Sequence, residues 1–487
     1  MEERICYDDC MKVGWKTYNL EDVCEILDNL RKPINSKDRQ KRIEGKKESE
    51  LYPYYGATGQ IGFIDDYLTD GEFVLIGEDG APYFDFSKNV SYLIKGKTWV
   101  NNHAHVLKSY FNNNYLMYYL NQFNFNGYVS GTTRLKLTQG SMRKIPIEVA
   151  PLPEQRAIVS KIEQLFSELD NGISNLKLAQ EQLKVYRQAV LKKAFEGEFT
   201  KKWWKQQTDL PDSEVLLEKI KKEKKETTKT SSKKQKPIQP LTEDELEELP
   251  KIPDDWGWVK VGEVLEVFVG STPSRKEPDF WGGDIPWVSS SEVAFCRINS
   301  TKESITKLGL EKSSTQIHPI GTVMLGMIGE GKTRGQVAIL NINACHNQNT
   351  AAIRINTNYL SEFVYYFFEK NYNENRRIGS GNNQQALNKN IIENMSIPLC
   401  SLPEQQAIVQ EIETRLSVCD KIEQDIETNL EKAEALRQSI LKKAFEGKLL
   451  NEKELAEVRG AEDWEPAEVL LERIKAERAK TERSDKT

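Results

Sequence analysis

The sequence predicts an α+β chain of two mixed α/β domains, each followed by one long helix. Three observations carry this reading. The stretch from Leu152 to Gly197 returns at Leu402 to Gly447 with nothing inserted or lost. Both copies open on Leu-Pro-Glu-Gln and close on Leu-Lys-Lys-Ala-Phe-Glu-Gly, and about twenty of fifty aligned positions are identical. A repeat of this length marks duplicated units rather than a short-period solenoid. Finally, the segments before the two copies share an order of strand-like runs and an aromatic helix, while their loops differ.

Residues 1–150 form the first domain. Short β-type runs separated by turn residues dominate it, at 52–64, 73–80 and 90–94, and an aromatic helix follows near Tyr115 to Phe123. The domain ends in Ser130-Gly131-Thr132-Thr133-Arg134-Leu135 and leads through Ile145-Pro146-Ile147 into the repeat.

Residues 151–200 and 401–450 each read as a single helix. Proline just inside the start needs no N–H partner, and glycine just past the end suits the left-handed closing residue. Ser401 with Glu404 fits a capping box, whereas the first copy has Pro151 in place of the serine. Apolar residues recur at spacings of three and four: Ile158, Ile162, Leu165, Leu169, Ile173, Leu176, Leu183 and Val190, then Ile408, Ile412, Leu416, Cys419, Ile422, Ile426, Ala433 and Ile440. So narrow a stripe suits a helix–helix seam. A helix of this length, at about 1.5 Å per residue, is about 65 Å long, more than a small domain can cover, so each helix is expected to pack on the other.

Residues 201–254 hold Lys201-Lys202-Trp203-Trp204, a short helix at Val215 to Ile220, a Lys/Thr/Ser tract and an acidic run at 243–248, read as a solvated linker. The second domain, residues 255–400, opens on Trp256-Gly257-Trp258, which echoes Gly14-Trp15-Lys16. It closes on an aromatic helix, Phe363 to Phe368, and on Asn382-Asn383-Gln384-Gln385. Residues 451–487 form a helical tail in which Val469 to Ile474 repeats the short helix of the linker.

Composition bounds the function. The net charge of −6 counts somewhat against nucleic-acid binding, although the acids concentrate in helices and linkers and local distribution decides. No apolar run approaches a membrane span, and the acidic start at Glu2 and Glu3 is unlike a signal peptide. Seven cysteines without CxxC spacing argue for reduced thiols and a cytoplasmic protein.

With the duplicated Leu-Pro-Glu-Gln and Leu-Lys-Lys-Ala-Phe-Glu-Gly segments in view, the chain resembles the specificity subunit of a type I restriction–modification system, over essentially its whole length. The resemblance implies two target-recognition domains, each reading half of a split sequence in double-stranded DNA. It also implies that the helices pair as an antiparallel coiled coil. On that coiled coil two methyltransferase subunits dock, and two restriction–translocase subunits join the complex. It implies no catalytic residue in this subunit and no cofactor. The docking helices are marked by Leu152, Pro153, Glu154, Gln155 and Phe195, and by Leu402, Pro403, Glu404, Gln405 and Phe445.

Candidate DNA contacts come from the residues themselves. Arginine and lysine suit guanine edges or phosphate, and asparagine and glutamine suit adenine. In the first domain these are Thr132, Thr133, Arg134 and Lys136. In the second they are Lys332, Arg334, Arg376, Arg377, Asn382, Asn383, Gln384 and Gln385. Gly326 to Thr333 satisfies the P-loop spacing, but Arg334-Gly335-Gln336-Val337-Ala338-Ile339-Leu340 follows where a phosphate-binding helix has to begin. A glycine hairpin carrying Lys332 and Arg334 towards DNA is the preferred reading. His103, His105 and His346 lack a third metal ligand and read as polar or structural groups. Three functions are therefore weighed: a DNA-specificity scaffold, a P-loop enzyme with a regulatory coiled coil, and a coiled-coil adaptor. Nucleotide titration separates the second, and DNA binding with the methyltransferase subunit separates the third.

Overall fold

The computed structural model describes residues 12–207, 210–228, 238–329, 331–378 and 386–484. The chain forms two compact units, residues 1–178 with 425–487 and residues 179–424.

In the first unit, β1 (Lys16–Asn19) pairs antiparallel with β10 (Pro146–Val149), the strand that leads into the long helix. Between them lie β2 (Cys24–Ile26), helix α1 (Ser36–Ile43), β3 (Tyr52–Gly56), β4 (Gly59–Ile64), β5 (Thr69–Gly77), β6 (Ser91–Val100), β7 (Ala104–Ser109), helix α2 (Asn113–Gln122), β8 (Val129–Ser130) and β9 (Lys136–Leu137). The main sheet has the order β2-β7-β5-β6-β3-β4, and β3 runs parallel to β6. The aromatic helix expected near Tyr115 is α2. Asn112 caps it by accepting from Tyr115 N at 3.1 Å, and Tyr115, Leu116, Tyr119 and Leu120 are buried on its inner side.

Helix α3 (Leu152–Phe195) is continuous through 44 residues. In the second unit follow helix α4 (Ser213–Thr228), β11 (Gly257–Lys260), β12 (Glu266–Val269), β13 (Trp281–Val288), β14 (Cys296–Ile298), β15 (Glu303–Ile305), β16 (Val323–Gly326), β17 (Val337–Leu340), β18 (Cys345–His346), β19 (Thr350–Arg354), helix α5 (Ser361–Lys370) and β20 (Ser396–Leu399). β11 pairs with β20 as β1 does with β10. The sheet order β12-β19-β16-β17-β14, with β14 parallel to β17, repeats that of β2-β7-β5-β6-β3. The duplication therefore extends to the domains, whose sequences show it only as an order of events. A further three-stranded sheet, β15-β13-β18, belongs to the second unit. Helix α6 (Leu402–Phe445) is the second 44-residue helix, and helices α7 (Glu452–Arg459) and α8 (Ala467–Ser484) follow it.

Both long helices end as the glycine predicts. Gly197 and Gly447 take φ of 70° and 75°, and the N–H groups of Glu198 and Lys448 reach back to the carbonyls of Lys193 and Lys443 at 3.0 and 2.8 Å. The start of α6 departs from expectation. No capping box forms: the Ser401 hydroxyl is buried without a partner among the described residues, and the Glu404 carboxylate is turned elsewhere.

Helix pairing is antiparallel. In the first unit Arg437 binds Asp170 and lies 4.4 Å over the Phe166 ring. In the second unit Arg187 binds Asp420 and Glu423 at 2.6 and 2.9 Å. Within each unit the index rises on one side as it falls on the other: Lys161 meets Glu454 where Asp170 meets Arg437, and Trp204 meets Glu404 where Arg187 meets Asp420. Ile158, Ile162, Leu183 and Val190, with Ile408, Ile412, Cys419, Ile426, Ala433 and Ile440, are buried as the stripe requires. Ile422 is not: it is 43% exposed and lies off the seam.

Each domain is closed by the end of a helix. In the first unit Phe445 packs edge-on against Tyr115 and Tyr119, both ring pairs at 5.1 Å. In the second, Phe195 meets Phe363 and Phe367 at 5.1 and 5.4 Å. Burial of rings of this size is the largest single contribution a side chain makes to such a core.

Candidate nucleic-acid interface

In the first unit the candidate residues lie on the β8–β9 hairpin. Its turn is tight because Gly131 has φ of 105°, with the Arg134 carbonyl where a Cβ would stand. Thr132 and Thr133 are exposed at the tip. The returning strand is fastened to the end of β5, since Gly80 N donates to Leu135 O at 2.8 Å and Leu137 N to Glu78 O at 2.7 Å. Arg134 Nε sits 2.5 Å from Asp79 Oδ1, and Lys136 Nζ 3.1 Å from Glu78 Oε1. Both basic side chains stay more than half exposed. The hairpin therefore presents two cations whose positions are set by acids behind them.

Those acids are themselves held. Arg31 binds Glu78, and approaches Asp28 at 3.1 Å. Burial works against the charge of Glu78, but hydrogen bonds from Arg31 and Lys136 more than offset it and keep its carboxyl below the usual range. His105 is fully buried, with Nδ1 2.8 Å from Asp28 Oδ2 and Nε2 3.0 Å from the Leu137 carbonyl. Gln139 also donates to Asp28 at 2.9 Å. His105 thus braces the hairpin from within. His103 lies 3.5 Å from Asp79. Among the described residues no group of three His, Cys, Asp or Glu side chains could hold a metal.

In the second unit β16 and β17 form the expected hairpin, and the segment between them holds the P-loop-like residues, of which Glu330 lies outside the described set. Gly326 N donates to Gln336 O, and Gly335 N to Gly326 O, both at 2.8 Å. Strand β17, not a helix, follows, so the stacked N–H groups that cradle a nucleotide phosphate do not form here. Lys332 is exposed. Arg334 is not, and this corrects the expectation that it extends towards DNA: it is 8% exposed, and its Nη2 donates to the Arg376 carbonyl at 2.7 Å. Arg376 likewise turns inward, donating to Gly331 O at 2.8 Å and to Tyr372 Oη at 3.1 Å. The two arginines lock the hairpin to residues 372–377, because each guanidinium serves the other's stretch of backbone. Arg377 is exposed. Asn382, Asn383, Gln384 and Gln385 lie outside the described residues.

Most of the residues that mark the repeat are turned inward. Glu154 and Gln155 are fully buried and Pro153 is buried; Leu152 is half-buried. Glu154 accepts from the Trp15 indole at 2.8 Å, from Arg459 at 3.0 Å and from the Trp464 indole at 3.3 Å. Gln155 donates to Ala150 O at 2.7 Å and accepts from Asn112 N at 3.2 Å. In the second unit Glu404 accepts from Thr200 and Trp204 at 3.1 and 3.2 Å, and Gln405 binds Leu360 N, Asn358 O and Cys400 O, all at 3.0 Å. Burial raises the pKa of Glu404, and these hydrogen bonds offset it only in part. Leu402 is half-buried and Pro403 exposed, while Phe195 and Phe445 are buried in their domains. These positions therefore join each helix to its domain.

Residues 31–47, which include α1, carry no motif but hold eight basic and two acidic residues. A local charge count finds them.

The model of the type I restriction modification DNA specificity domain matches residues 12–178 and 253–432. A type I specificity subunit of Escherichia coli, EcoDI, is 22% identical over 96% of this chain and 96% of its own length. A putative type I specificity subunit of Haemophilus influenzae is 37% identical over 32% of this chain, an alignment that covers 37% of that relative. Of the solved structures, the HsdS subunit of Thermoanaerobacter tengcongensis superposes with a TM-score of 0.53 at 18% identity, covering 90% of this chain and 98% of that one. A chain from a structure concerned with complex assembly of the type I R-M system gives 0.58 at 18% identity, over 90% of this chain and 99% of the other. Together with the repeated sheet order and the two 44-residue helices, the match over most of the sequence shows that the chain belongs to the type I restriction–modification DNA specificity family.

Proposed function

We propose that this protein is the non-catalytic sequence-specificity subunit of a cytoplasmic type I restriction–modification complex. In this reading residues 1–150 and 255–400 each read one half of a bipartite site in double-stranded DNA. The helices dock two methyltransferase subunits, which two restriction–translocase subunits join, and the subunit itself uses no cofactor. The observation that carries the reading is the common sheet order of two domains whose loops differ, the arrangement expected of two readers with different targets. In the first domain Arg134 and Lys136, held by Asp79 and Glu78, would face the duplex; in the second, Lys332 and Arg377 would do so, with Asn382, Asn383, Gln384 and Gln385 beyond the described residues.

Docking on the helices is supported by apolar groups left open on otherwise polar faces. In the second unit these are Val185, Tyr186 and Val418, exposed by 71, 48 and 55%; in the first, Leu436 is exposed by 51%. Such groups suit a protein partner better than water. Among the described residues no helix is long and apolar enough to cross a membrane.

Exchanging residues 1–150 for the matching domain of a relative tests the division of labour, with methylated sites read by sequencing. One half of the site should change and the other persist. A change in both halves together would remove the two-reader reading.

A further inference from the structure

Helix α1 carries the densest positive charge in the first unit, and its two faces do different work. Residues 31–47 hold eight basic and two acidic residues in a chain whose net charge is −6. Asn35 starts the helix by accepting from Asp38 N at 2.9 Å. Arg39 and Arg42, three residues apart, point to the protein. The Arg39 guanidinium lies 5.0 Å over the Tyr54 ring and donates to Phe63 O at 3.2 Å. Arg42 lies 5.1 Å over the Trp99 ring and binds Asp65 at 2.6 Å. Lys46 shares Asp65 at 2.6 Å. Lys37 and Lys41 are four residues apart and hence on one face, as i and i+4 residues are. Both are exposed, and neither has an acidic partner among the described residues; Lys32 and Lys47 are in the same state.

The hairpin beneath α1 connects it to the reading loops. Arg39 lies along Gly62 of β4, where a Cβ would collide with the guanidinium. At its other end the β3–β4 turn abuts the end of β5: a Cβ at Gly77 would stand 2.8 Å from Ala57 O. From Gly77 the chain enters Glu78 and Asp79, which hold Lys136 and Arg134. Turn and helix are separated by about four strand residues, about 13 Å at about 3.3 Å each. That is on the order of the width of the major groove of B-DNA.

We propose that Lys37 and Lys41, flanked by Lys32 and Lys47, grip DNA phosphates beside the half-site read by the first domain. The proposal rests on the DNA-reading function above and adds to it a contact that positions without specifying. The two stacked arginines, Arg39 bonded to the Phe63 carbonyl and Arg42 ion-paired with Asp65, fix the helix, and the outward lysines remain available to a polyanion. A lysine is a flexible point charge, suited to phosphate rather than to the two-point recognition of a base.

The test uses the full chain assembled with its methyltransferase subunits. The double variant Lys37→Gln/Lys41→Gln replaces exposed residues by another good helix former, so the helix persists. Duplex affinity should fall by roughly 3–10-fold at fixed salt, and the slope of log K against log salt should drop by about 2, one unit per lost contact. The methylated sequence should stay the same, and Lys37→Arg/Lys41→Arg should retain both affinity and slope. Unchanged affinity and slope in the glutamine variant would overturn the proposal, and so would an altered base in the methylated site, which would make these lysines readers. A wild-type complex that binds all duplexes alike would instead defeat the reading function, while the salt slope would still report on the lysines.

Discussion

Glu404, at the start of the second long helix, accepts the indole N–H of Trp204 at 3.2 Å, although 200 residues of chain separate them. Glu154 stands in the same relation to Trp464, at 3.3 Å. Each repeat thus opens on a buried carboxylate that gathers the segment following the other repeat. Glu404→Ala leaves the Trp204 indole without its acceptor and Thr200 with only the longer contact to the Gly197 carbonyl, at 3.4 Å, which should cost about 2–3 kcal/mol. Glu154→Ala should cost at least as much, since it also removes an ion pair to Arg459. Thermal unfolding should show drops of roughly 5–10 °C in the affected transition.

Lys332 and Arg334 are two residues apart and should respond in opposite ways. Lys332→Ala should leave folding and assembly intact and weaken DNA binding by about 1–3 kcal/mol. ATP titration of the isolated wild-type chain should give no saturable binding. Arg334→Ala removes the guanidinium that binds the Arg376 carbonyl and should lower stability by about 2 kcal/mol. Saturable ATP binding that Lys332→Ala abolishes would reverse the assignment.

Two histidines should make the second unit sensitive to acid. His318 and His346 are 1% exposed, and their rings are 5.0 Å apart. Burial, with His346 and Arg354 nearby, pushes His318 down to about 3; burial alone pushes His346 down to about 4. The unfolded chain takes up both protons near pH 6.5, whereas the folded one stays neutral far below that. Their contribution to stability is therefore complete above pH 6.5 and is lost as the pH falls, towards 4 for His346 and towards 3 for His318. At pH 5 the loss is about 2 kcal/mol for each ring. Glu369, pushed up to about 7 chiefly by burial, opposes this between pH 7 and 4.5, because its proton favours the folded state. Imidazole resonances isolate the effect: those of His318 and His346 should keep their neutral positions at pH 5.

Phe195 closes the second domain and Phe445 the first. Phe195→Ala opens a cavity against Phe363 and Phe367 and should cost about 3–5 kcal/mol, read as a lowered unfolding transition. Its neighbour Lys192 is exposed, and Lys192→Ala should change stability by less than about 0.5 kcal/mol.

Much of this architecture is legible in the residues. The helix ends at Phe195 and Phe445 follow from the glycines beyond them, and the seam from the three–four spacing, except at Ile422. That exception arises because a stripe read at fixed spacing cannot register which partner residue faces each turn. The role of Glu404 was hidden for a similar reason. Its spacing from Ser401 fits a local cap, and only the fold brings Trp204 to it. Arg334 looked like a surface cation because its glycine-rich neighbours suggest a loop, but its carbonyl partner at Arg376 is 42 residues away. Lys37 and Lys41 are legible in the residues, since charge density is a local property that the chain's net charge of −6 averages away.

The division of the chain bears on the order in which it can mature on the ribosome. Residues 179–424 are contiguous, so that unit can finish folding as soon as its last segment emerges. The other unit draws on residues 1–178 and 425–487, which lie on either side of it in sequence. At about 5–20 residues per second, Tyr115 and Tyr119 therefore wait on the order of ten seconds to a minute for Phe445. During that interval the first domain has aromatic surface uncovered, open to chaperones and proteases. A message truncated before residue 425 would leave one unit whole and the other permanently unfinished.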